Sequence, residues 1–341
     1  MTGSFGKRGM ITVVVVLAIS IFLAGTCLAY DEKSPMVLKC GIDNPPQDMK
    51  ARTIKKLGDL VTERTNGRIQ FKYFYGASLI KKPQFVDAVA RGIADISTGP
   101  VGFVTGKIPE LSVFGVFGTW QLDRYLEMQD VLAPKLTELM ATKGIHHVMI
   151  QYNGTSILCH KTKFLKQPAD WKGQKIRLSG KWLATLGQKW GASTVFMPPP
   201  EVYLATQRGV IDGFQLIYDI VYGLKLHEVA PYIVETGFPD NIEIVTMNLK
   251  KWEEMTPEDQ KIFNDAVAEV IPWTYEETLK YYEDLRKNIT AQGGQIYVLT
   301  KEERDNYLRD AYALWPEIRK ESGKLGGELM DLMMNYRIKI D

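Results

Sequence analysis

No block of one charge sign runs along this chain, and its charges nearly cancel: 42 lysines and arginines against 40 aspartates and glutamates leave a net +2. So balanced a chain offers no electrostatic footprint for nucleic acid or an acidic membrane surface. Catalytic signatures are equally scarce. The phosphate-binding pattern G-x-x-x-x-G-K-[ST], a strand-borne G-x-G-x-x-G and the nucleophile pattern G-x-S-x-G are all missing. Ser78-Leu79-Ile80-Lys81 fits S-x-x-K, but its companions S-D-N and K-T-G are absent, so it reads as a chance match. There are four histidines: His146 and His147 are adjacent and would point to opposite faces of a strand, and His160 and His227 stand in no H-x-x-x-H pattern. No metal and no cofactor is expected. Low-complexity segments and flexible linkers are missing too.

Cysteine is rare, with three in 341 residues. Cys27 lies at the end of a distinctive N-terminus, in which Lys7 and Arg8 precede the apolar run from Ile11 to Ala24 and then "GTCLAYDEKS". A basic start, a short apolar core and small residues describe a secretory signal, with cleavage expected after Ala29 and residues 1–29 removed. The run is short for a membrane span. Lipidation at Cys27 is not favoured, because Leu23 stands one place too early for a lipoprotein signal. Export would leave Cys40 and Cys159 in an oxidising compartment, where they could pair or stay as separate buried thiols.

What the chain does have is a phrase written twice. "AVARGIADIS" (88–97) and "ATQRGVIDGF" (205–214) share A-x-x-R-G-x-x-D. Around the first copy, "MVLKCGID", the helical stripe Ile54, Leu57 and Val61, "RIQFKYFY", the stripe Phe85 and Val89, and "ADIST" read as strand-helix-strand-helix-strand. Around the second, "QKIRL", a helix capped by Ser179 and bearing Trp182, Leu186 and Trp190, "STVFM", a helix opening at Pro200, and "IDGFQL" repeat that order. The phrase is thus punctuation at a helix end. Gly92 and Gly209 supply the left-handed turn, Arg91 and Arg208 suit the negative end of the helix, and Asp95 and Asp212 stand where the chain re-enters a strand. Two βαβαβ units imply two α/β lobes, each a mostly parallel sheet flanked by helices, with a ligand cleft where strand carboxyl ends face one another.

The C-terminal third reads as helical. Thr256-Pro257-Glu258-Asp259 is a strong helix start, Pro272 should kink or break that helix, and another follows Thr300. Long helices of this kind could strap the lobes together. The expected division is 35–151 with 242–281 for the first lobe and 152–241 with 282–341 for the second.

Arg177 lies inside the apolar "KIRL" at the carboxyl end of a first strand. It could sit on the solvent face of an edge strand, beside Lys175. It could equally be a ligand group, since a guanidinium there offers a carboxylate two parallel N–H donors. The residue pattern leaves both readings open. A catalytic cleft would need a nucleophile and a base, and the acids nearest strand ends, Asp43 and Asp212, have no evident partner. The competing reading is an exported enzyme acting on a small organic acid in the same cleft.

"DWKGQKIRLSGKWLATLGQKWGASTVFMPPPEVYLATQRGVIDGFQ" resembles the signature region of the solute-binding proteins of TRAP (tripartite ATP-independent periplasmic) transporters, the DctP type. That family reads D-x-K-G-x-K-[IL]-R, then G-A-x-x-x-x-M, then E-V-Y-x-A-L-Q-x-G-x-x-D-G. "YNGT" (152–155) and "LHEVAPYI" (226–233) extend the likeness, which runs from "LKCGIDNPP" through the C-terminal helices. The resemblance implies a periplasmic receptor that closes on an organic acid and delivers it to integral-membrane TRAP permease subunits. It places the family's carboxylate clamp on Arg177. Departures narrow the ligand: Leu216 replaces an asparagine that supports the carboxylate in many members, and Ser156 stands where sialic-acid-binding members carry a second arginine. Neutral Gln215 argues against the metal found in some 2-oxo-acid branches. Asn153, Pro199 and, from the first lobe, Asp43 complete the candidate site. Phe214 and Tyr218 are expected to line the pocket and Phe196 and Met197 to fill the core. The ligand expected is a monocarboxylate with an apolar or aromatic body, with a 2-oxo acid as one candidate.

Overall fold

The computed structural model describes residues 30–115, 117–238 and 242–340. The segment 1–29, expected to be a secretory signal and containing Cys27, lies outside the described residues. Among these residues no helix is long and apolar enough to cross a membrane.

The first repeat unit is β1 (Met36–Gly41), α1 (Met49–Arg64), β2 (Ile69–Phe74), α2 (Phe85–Ala90) and β3 (Ile96–Pro100). Asp48 caps α1 by accepting the Lys50 N–H, and Ile54, Leu57 and Val61 bury the stripe the sequence shows. After α3 (Tyr125–Ala141), β4 (Ile145–Tyr152) leads through residues 153–156 into β5 (Ile157–His160) of a second sheet. The second unit follows as β6 (Lys175–Arg177), α4 (Lys181–Lys189), β7 (Ser193–Val195), α5 (Pro199–Gln207) and β8 (Gly213–Leu216). Then come α6 (Tyr218–Gly223) and β9 (Tyr232–Glu235), and the chain crosses back into β10 (Ile242–Asn248) of the first sheet. The remainder is α7 (Leu249–Glu253), α8 (Pro257–Ala291), β11 (Gln295–Val298), α9 (Lys301–Ala313), α10 (Trp315–Glu321) and α11 (Gly323–Met334).

The sheets run β2-β1-β3-β10-β4 and β11-β9-β5-β8-β6-β7. Within each repeat unit the strands are parallel, while β10 and β5 are antiparallel to both their neighbours. Each sheet is therefore mixed but mostly parallel, as expected, with β10 alone running against the other four strands of the first sheet and β5 alone against the other five of the second. The antiparallel members belong to the stretches where the chain passes between lobes, pairing that no local pattern encodes.

The repeated phrase has one atomic meaning in both lobes. Gly92 and Gly209 have φ of 70° and 74°. The carbonyls of Ala88 and Ala205 each accept two N–H groups of the turn that follows. Asp95 then exchanges hydrogen bonds with the Lys39 backbone in β1, and Asp212 with the Lys175 backbone in β6, the carboxylates accepting at 2.8 and 2.9 Å. Each aspartate ties the returning chain to the first strand of its unit. Arg177, two residues beyond Lys175, occupies the place of Gly41 in the first lobe.

Several expectations need correction. Helix α8 continues through Pro272 without a break: Val267 and Val270 on one side of the proline and Thr274 and Thr278 on the other are buried, so packing holds both halves in line. At 35 residues it is roughly 50 Å long and reaches both lobes, through Thr53–Thr274 and Arg52–Glu277 on one and Arg286–Glu235 on the other. Ser179 does not cap α4; Gly180, at φ 94°, holds that position and the Ser179 hydroxyl points to Gln215. The segment 282–341 does not stay with the second lobe. Helix α9 binds there through Tyr307, but α11 packs on residues 109–114 and α3 of the first. Cys40 and Cys159 are free and buried in different sheets.

Candidate functional site

Register pairs Arg177 with Phe214, so both side chains leave the same face of the second sheet at its carboxyl edge. The Arg177 side chain turns inward and is only 2% exposed, which removes the solvent-face reading. Its Nε donates to the Met197 carbonyl at 3.1 Å and its Nη1 to the Gln215 carbonyl at 2.9 Å. The guanidinium carbon lies 5.7 Å from the ring centre of Phe196. No carboxylate among the described residues pairs with it, and Nη2 makes no hydrogen bond to them. Burial pulls its pKa down to about 10, so it is still charged at neutral pH. An uncompensated buried cation costs several kcal/mol.

The Gln215 side chain holds this edge in place. It accepts from the Ser179 hydroxyl at 3.0 Å and donates to the Ser156 hydroxyl, while the Ser156 carbonyl accepts from Thr236. Both crossings between the lobes thereby join the end of β8. Asn153, on the first crossing, accepts from Lys50 at 3.1 Å and donates to Glu243 at 3.2 Å. Its carbonyl accepts from Tyr282 at 2.5 Å.

Around Asn153 stands a polar cluster that spans both lobes. Lys50 of α1, 2% exposed, lies 3.0 Å from Asp219 of α6 and 3.3 Å from Asp48. Burial works against its charge, but Asp219, Asp48 and Glu243 outweigh that effect and raise its pKa above the ordinary lysine value. Glu243, buried in β10, accepts from Thr98 at 3.3 Å and lies 3.9 Å from Lys82, which in turn lies 3.3 Å from Asp43. Burial pushes the Glu243 carboxyl up, against the pull of Lys82 and Lys50.

The remaining candidates divide. Asp43 is half-buried beside Lys82, and Pro199 is half-buried at the start of α5. Phe214, at 0% exposure, and Leu216 sit in the packed core of the second lobe with Ile157, Cys159 and Val202. Tyr218 joins that core and its hydroxyl donates to Glu235 at 2.6 Å. In this arrangement all three are spent on packing. The aromatic that reaches the surface is Phe196, expected inside but 58% exposed, and its ring meets that of Phe103 from the first lobe at 6.5 Å. Met197 is buried, as read.

Sequence reasoning missed Lys50, Lys82, Asp219 and Glu243. Two left a signal: Lys50 stands four residues before Ile54 on the apolar stripe of α1, and Glu243 lies inside the wholly buried "IEIVTMN". The other histidines hold no metal geometry: His160 faces Gln174, His227 faces Gln292, and no cluster able to hold a metal ion exists among the described residues.

A family model described as bacterial extracellular solute-binding protein, family 7 (DctP), matches residues 41–321. The 2,3-diketo-L-gulonate-binding periplasmic protein YiaO of Escherichia coli K12 is 23% identical over 254 residues, 73% of this chain and 77% of that protein. Among solved structures, a TRAP periplasmic solute-binding protein from Marinobacter aquaeolei VT8, in an apo open form, superposes with a TM-score of 0.81 at 17% identity, covering 87% of this chain and 99% of its own. Another, from Ralstonia eutropha H16 with bound (S)-2-acetolactate, gives 0.75 at 21% identity, with 88% and 99% covered. At these identities the structural matches establish the two-lobe fold.

Proposed function

The chain belongs to the bacterial extracellular solute-binding proteins of family 7, the periplasmic receptors of TRAP transporters, and from that premise we propose that it captures a monocarboxylate with an apolar or aromatic body, a 2-oxo acid being the best fit. Arg177 grips the carboxylate, the lobes close over the ligand, and the loaded receptor delivers it to the membrane permease. Catalysis has no part in this cycle.

One observation carries the reading. A buried guanidinium with no partner carboxylate and an unspent Nη2 is costly unless an anion repays it. Gln215, held by Ser156 and Ser179, keeps the strand edge fixed so that the donors meet their guest already oriented. With Leu216 in the core and Ser156 committed to Gln215, this edge offers the ligand no second cation. The ligands named for the two relatives share the single carboxylate: 2,3-diketo-L-gulonate is a polyhydroxylated 2,3-dioxo acid and (S)-2-acetolactate a 3-oxo acid, so they support the carboxylate and not the apolar body. Because a ligand shifts the open–closed equilibrium only by its differential contacts, groups from both lobes must touch it.

The test is native mass spectrometry of the protein as purified, followed by titration calorimetry of the recovered acid against Arg177→Ala and Arg177→Lys. Two charge-assisted hydrogen bonds are worth about 3–6 kcal/mol together, so Arg177→Ala should weaken binding by about a hundredfold or more. Arg177→Lys should recover little, since an ammonium lacks the planar fork. Unchanged affinity in Arg177→Ala would remove the clamp.

A further inference from the structure

Two phenylalanines are left exposed where the lobes meet, and they touch. Phe103 follows β3 of the first lobe and Phe196 follows β7 of the second, each just past the carboxyl end of its strand. They are 36% and 58% exposed, and their rings meet edge to face at 6.5 Å, 77° apart. Large apolar rings held at a surface need a reason, and an exposed pair that meets across two bodies marks a binding surface more readily than a core. The third member of the row supplies the reason: the Arg177 guanidinium lies against the inner side of Phe196. Charge, ring and opposing ring therefore follow one another from the inside of the second lobe to the edge of the first.

Resting on the reading of Arg177 as the carboxylate clamp, we propose that Phe103 and Phe196 are an aromatic jaw that selects the ligand by its body. An acid on Arg177 comes beside Phe196, whose ring centre is 5.7 Å from the guanidinium carbon, so its body lies against that ring and takes the place Phe103 occupies here, with Phe103 closing over its far side. A flat apolar body the size of a phenyl ring fits this surface and gains from both rings. A bare short-chain acid gains only the clamp. The jaw thus links recognition to closure: a ring on each lobe gives the ligand contacts in the closed form that the open form lacks. Phe214 and Tyr218, buried in the second core, cannot take this role in the observed arrangement.

The experiment compares two acids with the same head, pyruvate and phenylpyruvate, by calorimetry on the wild type and on Phe196→Ala, Phe196→Leu, Phe103→Ala and Arg177→Ala. Unliganded melting curves check that the exposed substitutions leave the fold intact. The jaw requires phenylpyruvate to bind the wild type at least about tenfold more tightly than pyruvate. That preference should collapse in Phe196→Ala and Phe103→Ala, each losing more affinity for phenylpyruvate than for pyruvate, and Phe196→Leu should keep part of it. If Arg177→Ala abolishes both acids but the preference survives in the phenylalanine variants, the jaw is wrong and the clamp stands. If phenylpyruvate binding survives Arg177→Ala but falls in the phenylalanine variants, the clamp is wrong and the rings stand alone. If the wild type binds neither acid, the jaw falls, and the clamp is decided by the retained acid against Arg177→Ala.

Discussion

Replacing Lys50 with methionine removes one charge from the place where the lobes share a buried polar cluster. Its ammonium lies 3.0 Å from Asp219, 3.1 Å from the Asn153 side-chain oxygen and 3.3 Å from Asp48. Methionine fills most of the volume, so the cost is electrostatic. Asp48 keeps its bonds to the Lys50 N–H and to Asn44, and Asp219 keeps the Ile220 N–H, but both carboxylates lose their cation. Breaking a buried pair from one side typically costs about 3–5 kcal/mol. The upper half of that range applies here, because two acids rather than one are left. Urea unfolding followed by circular dichroism at pH 7 measures the loss as a fall in midpoint. The double variant Lys50→Met/Asp219→Asn should regain about 1–2 kcal/mol of it, since the nearer stranded charge is gone. A single-variant loss below about 0.5 kcal/mol, the range of ordinary surface substitutions, would refute the argument that this cluster ties the lobes together. So would a double variant whose costs simply add.

Neither ring nitrogen of His147 has a partner, and burial lowers its pKa to about 3. The unfolded chain therefore takes up a proton that the fold refuses, and stability should fall as pH drops below 6.5, His147 contributing about 3 kcal/mol of the fall at pH 4. His147→Met should remove that share in melting curves and leave the share of His146, whose pKa burial lowers to about 4. Gly154 sits at φ 86°, and a Cβ there would lie 1.6 Å from the Tyr282 ring. Gly154→Ala should cost about 3 kcal/mol or more, with partial rescue by Tyr282→Ala, and a neutral outcome would show that the crossing is not held as described. Asp95→Ala and Asp212→Ala should each free one backbone N–H, costing about 2 kcal/mol for the buried Asp95 and less for the half-buried Asp212. Hydrogen exchange should accelerate at Lys39 in the first variant and at Lys175 in the second.

The parts of the fold that depend on local chemistry were legible in the sequence. A glycine at positive φ, an aspartate two bonds from a strand and a stripe at helical spacing all act within a few residues, which is why the doubled phrase could be read as two α/β units. The antiparallel strands β5 and β10 were not legible, because their partners lie far away along the chain. Phe196 was misplaced because strand alternation was extended one residue past Val195, where β7 ends. Phe214 was misplaced for the opposite reason: β8 is buried on both faces, so alternation could not tell core from cleft. Ser179 resembled a helix cap because nothing in the sequence reveals Gln215 opposite it. Arg177 was legible as unusual, but only the structure shows that no acid has come to meet it.

The most direct measurement is a crystal structure of the protein with the acid it retains on purification. A carboxylate within hydrogen-bond distance of the Arg177 guanidinium, engaging Nη2, is the result expected. A carboxylate held elsewhere, with Arg177 still bound only to the carbonyls of Met197 and Gln215, would contradict the assignment.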